Sequence, residues 1–452
     1  MANYLGMLGP GDFPANFEPE DWQQAVLYEN PNGIAPLFAM LSMFPKEEVR
    51  DQQYHWFTMS LVDRALTTTA GANIYLDQDF TTAYVYATHQ ATKGIAGANL
   101  YLKCTEDFAK KAAVPGTLIL LRDASDLSVD VACVSKQINL NGANSWILVT
   151  LEEADDNAAT PAAGASLQSV DTFYIYSKKF PPGSNTPPAV VEHETEFENY
   201  TQIVRNALDL TRTVKSSINR LGDNYKRELQ KVTIRNSRDW EELLFWGRKT
   251  TGTNAINGKR ETTTWGMYEF LKANNSSNIR DFSNWVDTTD EKYAGKTWLQ
   301  KGEDFIDQSI TLLKRYLGET PFFMCGDLAM NGIGRLAKTY GQVNIAPESK
   351  SYGIEVTKWN TPNGSADFMT HPLLSLNATT RNTVFGFHPR NVKLCPLVGG
   401  GENGNIELME DVQTPGYDGK TDCFIGEMGT KFYFPNQFLV LHGVGLDHVS
   451  AA

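Results

Sequence analysis

Between Thr201 and Leu244 the spacing of apolar residues changes period, and the change separates a strand from a long helix. In Thr201–Val214 the apolar positions Ile203, Leu208, Leu210 and Val214 lie among polar residues, as in a half-buried strand. Leu221-Gly222-Asp223 follows, and Asp223 can accept the first free N–H groups of a helix. From Tyr225 onward Leu229, Val232, Trp240, Leu243 and Leu244 recur near helical spacing. Lys226, Arg227, Glu228, Lys231, Arg235, Arg238, Asp239, Glu241 and Glu242 fill the rest of the surface. A long helix with so narrow an apolar stripe reads as a beam across which other elements lie.

Upstream, Pro10, Pro14, Pro19, Pro31, Pro36 and Pro45 confine residues 1 to about 50 to an extended arm, with one short helix at Glu20–Tyr28. Ile34–Phe44 is strongly apolar for a segment outside any obvious core. From Asn73 to Ser177 short strands are expected at Asn73–Leu76, Ala83–Ala87, Asn99–Lys103, Thr117–Arg122, Val129–Ser135, Ser145–Leu151 and Thr172–Ser177. Pro115-Gly116 and Asn141-Gly142 mark turns, the second a hairpin, and the set predicts a small antiparallel barrel or sandwich. Ala70–Leu76 and Ala96–Leu102 echo each other as two turn-then-strand entries, too few for a repeat array. Glu152–Gly164 reads as a loop, Phe180–Pro188 as a Pro-rich linker and Glu192–Glu198 as an acidic run.

Beyond the long helix, Thr250–Glu261 reads as a loop, with helices at Trp265–Lys272 and Lys301–Leu317. A buried strand Thr320–Cys325 precedes a helix that Asp327 starts and that runs to about Tyr340. The remainder is β-rich: Gly353–Trp359, Ala366–Met369, Thr383–Phe387, Asn391–Leu397, Asp422–Ile425, Thr430–Phe434 and Phe438–Val444.

With 452 residues the chain is long enough for two or three subdomains. A net charge of −13 and no dense Lys/Arg run argue against gripping a phosphate backbone, though not against enclosing nucleic acid. Cys104, Cys133, Cys325, Cys395 and Cys423 are widely spaced and form no CxxC pair, which fits a reducing cytosol and buried thiols. No apolar run is long enough to span a membrane, and the N-terminus lacks a signal-peptide pattern.

The candidate chemistry is thin. Gly332-Ile-Gly334-Arg-Leu-Ala337 spells a dinucleotide fingerprint, but Asp327 starts its helix too early, which leaves both glycines as packing positions. Gly295-Lys296-Thr297 has the tail of a phosphate-binding loop, with Asp290 where its earlier glycine belongs. Glu192, Glu194, Glu196 and Glu198 around His193 would share a strand face, which reads as a solvated rim rather than a metal site. His371, His388 and His442 have no serine, cysteine or carboxylate at a telling spacing and read as structural. The tryptophans, scattered over helices and strands, read as packing residues.

The order arm, outgoing strand, β-insertion, returning strand, long helix and mixed region resembles the major capsid (major head) proteins of tailed bacteriophages, the Hong Kong 97 type. Ala35–Leu41 leading to Tyr54–Leu61 resembles the arm and the outgoing strand of that family's extended loop. Tyr200–Val204 with Leu210–Val214 resembles its return, Arg238–Leu244 the end of its spine helix, and Phe424–Pro435 its closing strands. The resemblance implies an α+β fold with a 1–53 arm, extended-loop strands at 54–71 and 189–215, and a β-rich insertion at 72–188. It also implies a peripheral domain with the spine helix at 216–300 and 421–452, and an axial domain at 301–420.

By the same resemblance the chain is a non-enzymatic, cofactor-free virion protein, made in the host cytoplasm and without a membrane partner. It self-assembles into hexamers and pentamers that enclose double-stranded DNA without reading its sequence. Portal and scaffolding proteins are the expected partners, with a decoration protein as a further one; no scaffold-like coiled coil precedes the arm, which points to a separate scaffold. Inter-subunit contacts are expected from Ile34, Leu37, Phe38, Met40 and Phe44 of the arm and from His55, Trp56, Thr201, Gln202 and Arg205 of the extended loop. The alternatives are another virion or decoration protein, or a carbohydrate-active β-protein using Glu192, Glu194, Glu196 and Glu427.

Overall fold

The computed structural model describes residues 35–59, 63–68, 73–123, 130–155, 167–191, 193–217, 223–284, 296–316, 318–339, 357–361, 364–399 and 402–447. The expected helix at Glu20–Tyr28, together with Ile34, Glu192 and Gly295, lies outside them. The chain forms two compact units: a framework of Met1–Thr58 with Thr195–Ala452, and an inserted unit, Met59–Glu194.

The framework is built on the helix Asn224–Trp246. Its 23 residues give a beam about 35 Å long at 1.5 Å per residue. The Asp223 side chain accepts the Tyr225 N–H at its start, and Gly247 closes its end by donating to the Leu243 carbonyl. Val232, Asn236, Trp240, Glu241, Leu244 and Phe245 form the buried stripe.

Against this stripe lies a sheet in which Gln202–Thr211 runs antiparallel to Gly419–Phe432. The opposite side of Gly419–Phe432 pairs with Val392–Pro396 and Glu407–Met409. Leu208 and Leu210 meet Val232 of the helix. The strand stops at Thr211, whose hydroxyl caps a short helix, Arg212–Ser216. Val214, expected in the strand, is therefore helical and partly exposed. The two strands expected at Asp422–Ile425 and Thr430–Phe434 are one continuous strand.

A second sheet has the order Ile279–Asp281, Leu439–His442, Val384–Phe387, Phe322–Cys325, Gly364–Thr370, Thr357–Thr361. Both of its faces are covered, so its central strands are apolar at successive positions. Met324, Phe385, Phe387 and Val440 point into one core, with Leu244 and Phe245 of the long helix and Phe270 and Leu271 of the helix Met267–Asn274. Phe323, Cys325, Val384, Leu439 and Leu441 point into another, under the helices Trp298–Tyr316 and Asp327–Thr339. Ile279–Asp281 and Leu439–His442, expected outside residues 301–420, pair in this same sheet. The expected loop Thr250–Glu261 instead forms a hairpin of Thr250–Thr253 and Arg260–Thr263.

Gly332 is a packing glycine inside its helix. A Cβ there would lie 2.5 Å from Gly445 Cα, and the Gly332 carbonyl accepts the Trp298 indole N–H at 2.9 Å. The dinucleotide-like spelling is thus helix packing.

The inserted unit is one sheet, ordered Ala65–Thr67, Thr172–Lys178, Thr117–Arg122, Asp130–Asn139, Ser145–Leu151, Asn99–Cys104, Ile74–Tyr75, with neighbours antiparallel. Among the described residues its two end strands do not meet, which corrects the expected barrel or sandwich. Leu100, Leu102, Ile119, Leu121, Cys133, Ile147, Val149 and Phe173 line its core with Phe108 and Ala109 of the helix Glu106–Lys111. The echoing segments are neighbours, since Ile74 pairs with Leu102 and Tyr75 with Tyr101. Ala83–Ala87 is not a strand but the entry to the helix Tyr86–Lys93. The His89 ring accepts the Val85 N–H at 3.0 Å, a local bond that turns the chain into that helix.

Candidate functional site

The arm is tied to the beam by one carboxylate. Pro36 opens the helix Pro36–Met43 and carries no N–H, so Leu37 and Phe38 supply its first free donors. Both donate to Glu241, Leu37 to Oε1 at 2.8 Å and Phe38 to Oε2 at 2.6 Å. Glu241 Oε1 also lies 2.6 Å from His371 Nε2, and both side chains are fully buried. The Leu374 N–H reaches His371 Nδ1 at 3.4 Å, which places the imidazole proton on Nε2, facing Glu241.

This anchor corrects two expected arm contacts. Leu37 and Met40 are sealed in the subunit's own core, so neither side chain is free to touch a neighbour. Phe38 stacks on Trp240 at 6.3 Å, and Phe44 is half-buried against the same core. Met43, at 64% exposed, is an outward apolar residue of this helix.

Gln53–Thr58 and Thr195–Tyr200 form an antiparallel ladder that runs from Gln53 opposite Tyr200 to Thr58 opposite Thr195. Its inner face is held by specific bonds. Tyr54 donates to the Thr430 carbonyl at 2.7 Å, and Trp56 donates to the Phe432 carbonyl at 3.2 Å. The Asn199 amide donates to the Thr430 carbonyl and the Thr264 hydroxyl and accepts from the Trp265 N–H. Gly429 makes room for Tyr54, because a Cβ there would lie 2.3 Å from its hydroxyl oxygen.

The outer face carries His55 against Glu196 at 2.8 Å, and Phe57, which is 62% exposed. Lys249 bonds Glu198 at 2.5 Å and lies over the Trp265 and Tyr200 rings at 4.7 and 5.4 Å. Its ammonium holds the Glu198 carboxyl below the usual range. The acidic run is therefore partly paired, and among the described residues no group of three or more His, Cys, Asp or Glu could hold a metal ion.

Of the expected loop contacts, Trp56 and Thr201 are buried in their own subunit, which corrects their assignment. The Thr201 hydroxyl donates to Glu427 at 2.9 Å. Gln202 is half-buried and accepts the Thr264 N–H at 3.2 Å. Arg205 is exposed and has no ion pair among the described residues. Sequence reasoning counted Glu241 among the solvated helix charges and did not pair it with His371, which it read as structural. The available signal was phase: Glu241 precedes Leu244 and Phe245 by three and four residues, on the apolar stripe.

These side chains clamp an arm, a ladder and a beam into one frame, the work of a structural subunit. The chain belongs to the SU10 major capsid protein family, whose model matches residues 10–445. It is 23% identical over 431 residues to the major capsid protein of Pseudomonas phage PaMx41, covering 94% of this chain and 90% of that one. Among solved structures it is similar to the capsid asymmetric unit of cyanophage Pam1, with 11% identity and a TM-score of 0.37 over 60% of this chain and 83% of that one. The capsid of cyanophage P-SCSP1u gives 9% identity and 0.36 over 59% and 80%. Likeness this distant carries no argument; the family match does. The chain is a structural protein that forms a phage's icosahedral capsid shell. No helix of the described residues is long and apolar enough to cross a membrane.

Proposed function

We propose that copies of this chain group into hexamers and pentamers and close the head around double-stranded DNA, with portal and separate scaffolding proteins as assembly partners and a decoration protein as a further one. The observation that carries this reading is the pairing of a rigid inner ladder face with an apolar and charged outer one. Phe57, Met43 and Ile203 remain exposed on elements that are otherwise clamped, and exposed apolar side chains on a rigid frame are ready contact points for neighbours. Phe38, Phe44, His55, Gln202 and Arg205 are the accessible or half-accessible members of the expected contact set. A net charge of −13 favours enclosing DNA over gripping it. Buried free thiols at Cys104, Cys133, Cys325 and Cys395 fit synthesis in a reducing cytoplasm.

In this reading the peripheral domain is centred on the long helix and the axial domain on the six-stranded sheet. The protein acts by packing, not by turnover. Electron microscopy of the chain expressed with its neighbouring head genes tests the proposal: closed particles containing it in hundreds of copies are expected. A chain that stays monomeric at high concentration with those partners present refutes it.

A further inference from the structure

The strand Gln202–Thr211 lies at a sheet edge. All of its ladder partners are on Gly419–Phe432, and among the described residues its other side pairs with no strand. The Arg212 N–H donates to the Asp418 carbonyl, in register with the ladder, so even-numbered residues bond inward. Odd-numbered residues turn their N–H and C=O outward. Thr201 confirms the parity, since its outward N–H goes to the Gln52 carbonyl and its outward C=O accepts the Thr262 hydroxyl. Among the described residues, the outward backbone groups of Ile203, Arg205, Ala207 and Asp209 have no such partner, and at Arg212 the chain turns into a helix.

A long unpaired edge of this kind is a template for another strand. Its charges say which one. The free window from 203 to 211 is centred on Ala207, and Ile203, Arg205, Ala207 and Asp209 are exposed on one face. In an antiparallel pairing of the strand with itself about Ala207, Arg205 of each copy faces Asp209 of the other, and Ile203 faces Thr211. Both charge pairs are favourable, and the residue on the two-fold axis is small. Asp209 is already oriented, accepting from the Tyr417 hydroxyl at 2.7 Å and the Thr421 hydroxyl at 3.2 Å, with acceptor capacity left for a guanidinium.

We propose that two copies of this chain join edge to edge through Gln202–Thr211, antiparallel about Ala207, extending the sheet across a two-fold contact. The proposal rests on the reading that the chain assembles with itself, and it names the surface. Opposed Ala207 Cα atoms would then lie about 5.5 Å apart.

Cross-linking and charge swaps test it in particles made with the neighbouring head genes. Ala207→Cys is placed in a Cys423→Ala background, because Cys423 faces Ala207 within the ladder. A short bis-maleimide should then convert most of the assembled chain to covalent dimers. Arg205→Asp alone and Asp209→Arg alone should each cut particle yield at least tenfold while the unassembled subunit melts normally. Mixing the two variants should restore yield, since a contact between unlike variants has opposite charges at both facing pairs. Particles of the cysteine variant that give no dimer, or a cross-link to a different protein, overturn the strand pairing. So does normal yield from both single charge variants. Failure of the wild-type chain to form particles would instead refute the shell reading.

Discussion

Replacing Glu241 separates the arm's anchor from its apolar contacts. Glu241→Ala strands the Leu37 N–H, the Phe38 N–H and the His371 Nε2–H in a dry site. Each stranded donor costs about 1–3 kcal/mol, while relief from burying a carboxylate returns part of that sum. The net loss is about 3–5 kcal/mol, in the lower half of the sum for three stranded donors. Glu241→Gln keeps the shape and one good acceptor but turns amide hydrogens toward another donor, costing about 1.5–3 kcal/mol.

Against this, burial of Leu37, Met40 and Leu41 holds the arm with about 1.5–3 kcal/mol per side chain, an upper estimate because the unfolded chain already hides some apolar surface. The arm should therefore stay docked in the glutamine variant and fray in the alanine one. Hydrogen exchange on the unassembled subunit reads this directly. Amides of Leu37–Met43 should exchange about a hundredfold or more faster in Glu241→Ala, at roughly 1.4 kcal/mol per factor of ten. The urea midpoint should fall in the order wild type, Gln, Ala. Wild-type protection of the arm helix in Glu241→Ala would refute the anchor.

Two further outcomes rest on particular residues. Gly332→Ala should destabilise the framework by about 1–3 kcal/mol through its clash with Gly445, whereas Gly334→Ala, with nothing within 4 Å, should stabilise it by about 0.5–1 kcal/mol; chemical denaturation distinguishes the two, and equal effects would contradict the packing. Burial holds the His442 imidazole below its ordinary 6.5, against the opposing pull of Asp281, so the unfolded chain takes up that proton first. Its contribution is complete above about pH 6.5 and is lost as pH falls through the lower folded value, so His442→Gln should flatten that part of a stability-against-pH curve. A curve unchanged by the substitution would contradict it.

The legible parts of the fold are those with strong periodicity or a cap. The long helix begins where Asp223 caps it, and Thr117–Arg122 and Ser145–Leu151 are strands at their expected bounds, because apolar residues run through both. The misread parts are settled by contacts that no local pattern carries. Ala83–Ala87 has strand-like residues, but the His89 ring bonds back to Val85, and Tyr84 turns inward to donate to Asp155. Thr250–Thr253 and Arg260–Thr263 lack apolar alternation altogether, so pairing makes a hairpin where composition indicates a loop. Leu37, Met40, Trp56 and Thr201 read as surface contacts because their apolar or strand character is visible while the core that covers them is distant in sequence. Glu241 reads as one more solvated helix charge, and the arm that satisfies it lies some two hundred residues away.

The ladder that closes the framework explains how so large an insertion is tolerated. Thr58 and Thr195 are paired, so the chain leaves and re-enters the framework about one strand spacing apart. Both strands are fixed from within by Tyr54, Trp56, Phe197 and Asn199, independently of the residues beyond Thr58. Closing a longer loop between two fixed ends adds little entropy cost, since the penalty grows only logarithmically with length. The inserted residues also bring their own core, from Ile74 to Ile175, so they need not draw on the framework for stability. Replacing residues 59–194 with an Asn-Gly turn should therefore leave the framework folded, because a two-residue turn suits paired strand ends. The expected outcome is a soluble subunit that keeps its helical circular-dichroism signal, with a urea midpoint near that of the full chain's framework. An insoluble product, or one that has lost the long helix, would show that the two units fold as one.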